Sequence, residues 1–379
     1  MYFTLRPVKG ERFINRQELL EEMISELRAV ESTTGYALYG KRRIGKTSVL
    51  KEVQRRLESE HKIVTVYFSV WDLIEFSVVE FCQRLSMEII DAYRPYIGLK
   101  YKAKELFQTP LTMLRKLLDS SELKIVYNEL EFLISKKRDI DKNLLVENAL
   151  YLPEKLAKCT GTKCILMIDE FPSISELKSD NNKIGETIIK KMRSIFENWE
   201  RTTLCISGSI RSTMKLSVLS STSPFYRQLI IKEVKPFERE YTKELLSSDI
   251  EITEEGVDEI HNFSTGIPFY VQFIGKMLER RKGSSVELIK ELEAEFLLEE
   301  GDILFKEEFD ILSSKERLIA INIAKGCHTP KAIASAVGDN ISNVNQFLTY
   351  LEQKGYVLKR EKGYYILEDP VFARWLEGL

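Results

Sequence analysis

A chain of 379 residues is longer than one compact core holds, and points to two or three domains. With 44% hydrophobic and 30% charged residues and a formal charge of −2, it reads as an ordinary soluble globular protein whose overall charge gives no general attraction to nucleic acid or to an anionic membrane. Five cysteines without CxxC pairing and three scattered histidines argue against a disulfide framework and a Cys/His metal site, and the lack of a signal-peptide pattern or membrane-length apolar run makes the cytoplasm the expected compartment.

The first predicted strand is the short apolar run Tyr36-Ala37-Leu38-Tyr39. It leads into Gly40-Lys41-Arg42-Arg43-Ile44-Gly45-Lys46-Thr47, which fits the phosphate-loop pattern GxxxxGK[ST]. Ser48 to Leu57 follows as a helix, with Val49, Leu50, Val53 and Leu57 at helical spacing. In that order the parts have mechanical roles: backbone N–H groups curl around a β-phosphate, Lys46 neutralises the β/γ oxygens, Thr47 ligates Mg²⁺, and the helix aims its positive end at the anion. Nucleotide binding is therefore the first expectation.

Ile63 to Phe68 is β-branched and aromatic enough for a second buried strand. From Ser77 to about Val146 the spacing is helical, with breaks at Pro95-Tyr96-Ile97-Gly98 and Thr109-Pro110, and reads as a helical insertion. The third strand, Cys164 to Ile168, ends in Asp169-Glu170. Ligands gather at the carboxyl ends of parallel strands, so these acids supply Mg²⁺ chemistry: Asp169 holds the ion through water and Glu170 polarises an attacking water. The fourth strand, Thr203 to Ser207, is followed by Gly208-Ser209, where Ser209 either senses a γ-phosphate or caps a turn. The fifth, Gln228 to Val234, has Arg227 immediately ahead of it and completes a doubly wound α/β domain.

Pro236 to about Phe309 is helical again, interrupted at Ser264-Thr265-Gly266-Ile267-Pro268 before a helix from Phe269 to Leu278. The remainder predicts helices at Glu316–Lys325, Pro330–Val337 and Asn340–Lys354, then a hairpin of 355–358 with 364–367. Three helices and a β-wing make a winged helix-turn-helix. The expected domains are thus a core over 1–235 with the insertion near 77–146, a helical lid over 236–309 and a winged helix over 310–379.

With these landmarks placed, the chain resembles the archaeal P-loop ATPases of the STAND and AAA+ side of the additional-strand (ASCE) class. Phe13-Ile14-Asn15-Arg16-Gln17-Glu18 looks like that family's N-terminal motif, which brackets the adenine, with Gln17 where an acid usually follows the Arg. Ser223-Pro224-Phe225-Tyr226-Arg227 is similar to its Ser-Pro-Leu-Tyr-Gly-Arg segment without the Gly. The match implies that Arg227 reaches a γ-phosphate, in cis or across a subunit interface, with Arg211 a weaker competitor and a surface salt bridge the alternative. Gly266-Ile267-Pro268 resembles the GxP segment where the lid meets nucleotide. The resemblance further implies the strand order 5-1-4-3-2, and ATP rather than GTP. The guanine-reading Asn/Thr-Lys-x-Asp should follow the fourth strand, yet Ser207-Gly208-Ser209-Ile210 stands there.

Between Asp310 and Leu379 nine basic residues stand against eight acidic ones, so the winged helix has little phosphate affinity of its own. Its third helix offers Asn340, Ser342, Asn343, Asn345, Gln346 and Thr349 to bases, and Lys359, Arg360 and Lys362 are the candidate phosphate contacts. DNA contact and an intramolecular or protein-docking role stand as equal readings. The resulting expectation is a Mg²⁺-dependent ATPase that couples ATP binding and hydrolysis to movement of lid and winged helix. The rival is an ATP-gated DNA-binding or regulatory switch with negligible turnover. ATP and Mg²⁺ are the expected cofactors, DNA, a protein client or further copies of the chain the candidate partners, and no membrane is expected.

Overall fold

The computed structural model describes residues 3–98, 125, 126, 128, 142–180, 182–209, 225 and 227–379. Much of the expected insertion, Arg211 and most of the Ser223–Arg227 segment lie outside the described residues.

The chain opens with an element the sequence reading passed over, helix α1 (Gln17–Arg28), which buries Leu20, Met23, Ile24 and Leu27 along one stripe. Strand β1 (Gly35–Gly40), helix α2 (Lys46–Leu57) and strand β2 (Ile63–Ser69) follow. Helix α2 starts at the phosphate-loop lysine, because Gly45 caps it in a left-handed conformation. Helix α3 (Val78–Tyr93), helix α4 (Lys142–Thr160) and strand β3 (Lys163–Asp169) come next, then helix α5 (Gly185–Phe196) and strands β4 (Thr202–Ser209) and β5 (Leu229–Glu233).

The five strands form one parallel sheet in the order β2-β3-β4-β1-β5. Residue alternation along each strand separates two cores. Tyr36, Leu38, Ile165 and Met167 face α1 and α2, whereas Ala37, Cys164, Leu166 and Ile168 face α3, α4 and α5. Register then fixes the reactive edge. Gly40 pairs with Ser209 and Ser69 with Asp169, so the phosphate loop, both strand ends and the acids of β3 meet at the carboxyl end of the sheet.

Helices α6 (Arg239–Ser247), α7 (Glu254–Ser264), α8 (Pro268–Arg281), α9 (Val286–Glu295) and α10 (Gly301–Asp310) form the second unit. Gly266 stands at φ +71°, and a Cβ there would run into the Phe237 carbonyl, so only glycine lets the α7–α8 corner close on the chain leaving the sheet. The last unit contains α11 (Ser314–Ala324), α12 (Pro330–Val337), α13 (Ile341–Gln353), the antiparallel hairpin β6 (Val357–Glu361) with β7 (Tyr364–Leu367), and α14 (Pro370–Glu377). Its helices carry their own start signals: Ser313 and Glu316 form a capping box, and Thr329, Asn340 and Asp369 cap α12, α13 and α14. The two units share packing. Phe305 of α10 lies 5.3 Å from the Phe372 ring and 5.9 Å from that of Trp375, both on α14, and one buried cluster runs from α1 and α2 through to α14.

Candidate functional site

Gly45 is the pivot of the phosphate loop. At φ +94° it turns the chain into α2, and a Cβ there would sit 2.9 Å from Nη1 of Arg16. The loop's amides therefore face the space ahead of the helix, where an N-terminus favours anions. Lys46 is buried, and its ammonium donates to the Lys41 carbonyl at 3.0 Å and the Gly40 carbonyl at 3.4 Å. Burial lowers its pKa even though Glu170, Asp169 and Glu368 all pull it up. A buried cation held mainly by two carbonyls is a strong attractor for an incoming anion.

Asp169 is also buried, and four donors surround its carboxylate. Thr47 Oγ1 donates to Oδ2 at 2.6 Å and Tyr67 OH to the same oxygen at 2.8 Å, while Ser207 Oγ and the Glu170 N–H, the latter at 3.2 Å, donate to Oδ1. Ser207 and Tyr67 went unrecognised in the sequence. Their signal, an inward hydroxyl near a strand end, has meaning only once β2 and β4 are known to flank β3.

The donor set fits magnesium: a hydroxyl and a carboxylate, both oxygen ligands, touch each other beside the anion-directed amides. Magnesium keeps several waters and takes one or two protein ligands plus phosphate oxygens. A cluster of three or more His, Cys, Asp or Glu is therefore not needed, and the described residues contain none.

A cavity of about 410 Å³ opens from this edge, within the usual size of a small-molecule site. Lys46, Thr47, Ser48, Glu170 and Arg16 line it together with the apolar Val8, Phe13, Ile14, Phe237, Pro268 and Phe269. Cationic and apolar walls in one cavity suit a phosphorylated ligand with a flat ring. The Arg16 guanidinium donates to the Ile44 carbonyl, packs over the Phe237 ring at 5.3 Å and is drawn down to about 10 by burial. It thus stands against the phosphate loop itself as well as in the pocket expected for adenine.

Arg42 and Arg43 line this cavity too. With Lys41 and Ser209 they also line a small cleft shared with Glu308, Tyr356, Glu368 and Asp369. Arg42 and Arg43 both pair with Glu308, Arg43 at 2.8 Å, and Arg43 lies 3.5 Å from Asp369. Tyr270 OH completes the knot with a 2.5 Å bond to Asp369.

Among the described residues expected at the site, Arg227 stands apart from the rest. Arg227 precedes β5, whose Leu229 pairs with Gly35 at the amino end of β1. At about 3.3 Å per strand residue it stands roughly 20 Å from the edge that holds Lys46. It is exposed, with φ +61°. A γ-phosphate contact in cis does not fit this placement.

A parallel sheet, a phosphate loop and an acid-ended strand one place removed from the loop's own strand define a P-loop nucleotide-binding protein. The chain belongs to the family of ATPase domains found predominantly in Archaea, whose profile matches residues 13–274. An uncharacterized ATP-binding protein of Methanocaldococcus jannaschii is 25% identical over 179 residues, 46% of each protein, so the match spans less than half of that relative. Among solved structures, a Walker-type ATPase of Pyrococcus abyssi is similar with TM-score 0.70 at 19% identity, over 99% of both chains. The Aeropyrum pernix ORC2 protein, solved as ADPNP–ADP complexes, follows at TM-score 0.53 and 13% identity over 97% of both chains. The ORC1 protein of the same organism, solved with DNA, gives 0.51 at 13% identity over 99% of this chain and 94% of that one. At such identities the likeness is one of fold. No helix among the described residues is long and apolar enough to cross a membrane.

Proposed function

We propose that this protein is a magnesium-dependent ATPase of the STAND/AAA+ type, in which nucleotide state sets how the lid (236–309) and a C-terminal winged helix (310–379) seat on the core. The observation that carries the coupling is the Arg42-Arg43 pair, which projects from the phosphate loop onto Glu308 and Asp369. A loop that tightens on phosphate must carry both arginines with it, so whatever they hold feels the nucleotide.

Lys46 exchanges its carbonyl partners for β- and γ-phosphate oxygens, and the loop amides bind the rest of the anion. Thr47 and Asp169 would hold magnesium, which would offset negative charge developing on the phosphate oxygens. Glu170 turns a water in line with the γ-phosphate and accepts its proton. Ser209 watches the γ side of the loop, and Arg16 and Pro268 frame the ribose and adenine. Arg227 serves only a neighbouring copy, in trans. Glu170→Gln tests the chemistry: it should bind ATP as the wild type does, and single-turnover hydrolysis at the wild-type rate would remove Glu170 from the mechanism.

A second reading, an ATP-gated DNA-binding switch with negligible turnover, draws on the exposed Ser342, Asn343, Asn345, Gln346 and Thr349 of α13 and the exposed wing residues Lys359 and Arg360. A shift assay at low salt with and without ATP separates the two. Binding that is lost when Lys359, Arg360 and Lys362 become Ala favours the switch, and no shift dismisses it.

A further inference from the structure

The Asp169 carboxylate sits in a cage of hydroxyls that come from three different elements: Thr47 from α2, Tyr67 from β2 and Ser207 from β4. Thr47 has a second duty in the reading above, because the hydroxyl that now donates to Asp169 must also turn its oxygen lone pairs to the ion. Tyr67 has no such duty. Its ring lies under the Lys51 ammonium at 5.0 Å, which fixes where the phenol can point.

A carboxylate on a short side chain turns readily about its terminal bond, since that torsion is broad. Two donors on Oδ2 and two on Oδ1 remove that freedom at Asp169. Of the two on Oδ2, Thr47 must adjust when a cation arrives. Tyr67 is the donor that stays.

We propose that Tyr67 is a positioning residue: its phenol proton fixes Oδ2 of Asp169 so that the carboxylate is aimed at the magnesium site before the nucleotide complex enters. The proposal rests on the reading of Asp169 as an ion-holding group.

Tyr67→Phe keeps the ring and removes only the hydroxyl, so it leaves the packing of β2 in place. Calorimetry of ADP binding, in EDTA and with magnesium, compares this variant with the wild type. The expected result is equal affinity in EDTA within about twofold, a magnesium-dependent gain reduced by about tenfold, and an unchanged melting temperature. An unchanged magnesium gain overturns the proposal, as does an equal loss in both conditions with a lowered melting temperature, which marks a merely structural hydroxyl. A wild type that binds ADP without any magnesium gain overturns it too while leaving nucleotide binding intact. A wild type that binds no nucleotide overturns both the proposal and the function it rests on.

Discussion

Nη2 of Arg43 stands 2.8 Å from Oε1 of Glu308, joining the phosphate loop to a helix 265 residues further along the chain. Both side chains are largely buried, and Arg43 also lies over the Phe269 and Phe305 rings at 5.7 and 5.4 Å. A guanidinium clamped between acids and aromatic faces makes a joint that holds one arrangement and resists intermediates.

Arg43→Ala should destabilise the protein by about 3 kcal/mol, because it takes one of two arginines from the buried Glu308 and the guanidinium beside Asp369. Denaturant unfolding reads this directly. The same change together with Glu308→Ala should cost less than the sum of the two, by about 1 kcal/mol or more, in a double-mutant cycle. Strict additivity would mean that the two side chains do not interact.

Lys46→Met should weaken ATP binding by about a hundredfold and yet leave the ligand-free protein as stable or more so. Burial already lowers the pKa of this ammonium, so its charge is a cost that the folded chain carries for function. A melting temperature several degrees below the wild type would contradict that.

Glu52 is fully buried in α2. Burial pushes its carboxyl up, but hydrogen bonds from Arg55, the Gly10 N–H and Arg56 outweigh this and bring it to about 2. A folded pKa below the unfolded one contributes stability that is present above the ordinary carboxylate value of 4.5 and lost as pH falls toward 2. Glu52→Gln should lower stability at pH 7 by about 2 kcal/mol and flatten its decline between those values. An unchanged acid limb would show that other carboxylates set it.

Glu293 has the opposite sign. It is buried on α9 with Oε1 unpartnered, and burial followed by the nearby Glu259 pushes it up to about 8, against the pull of Arg374 and Lys290. The folded state holds the proton more tightly than the unfolded one, so stability falls as pH rises from about 4.5 through 8. Glu293→Gln should be more stable than the wild type at pH 8 by about 1 kcal/mol, with the gap closing near pH 5. A gap that stays constant with pH would contradict this.

The phosphate loop was legible because its chemistry needs fixed residue types within eight positions, and β3 because an unbroken apolar run ended in two acids. The first four strands extended by a residue or two, since pairing adds residues whose side chains carry no pattern, whereas the fifth, expected at Gln228 to Val234, is Leu229–Glu233. Helix α14 had a readable start in Asp369-Pro370 but followed a hairpin that had seemed to complete the unit. Helix α1 had its periodic Leu20, Met23, Ile24 and Leu27 in plain view, behind a motif that drew attention to Arg16. The partners of Arg43 and Tyr67 could not be read at all, because Asp369 lies 326 residues from one and Asp169 102 from the other. Contacts at that separation exist only after strand order has been set.

The central claim is that a nucleotide's phosphates and its magnesium ion are held between the loop amides with Lys46 and the Thr47–Asp169 pair. Calorimetric titration of the purified protein with ATP and ADP, with and without magnesium, tests it most directly. Saturable uptake of both is expected, tightened by magnesium and weakened about a hundredfold in Lys46→Met. No heat of binding under any of these conditions would contradict it.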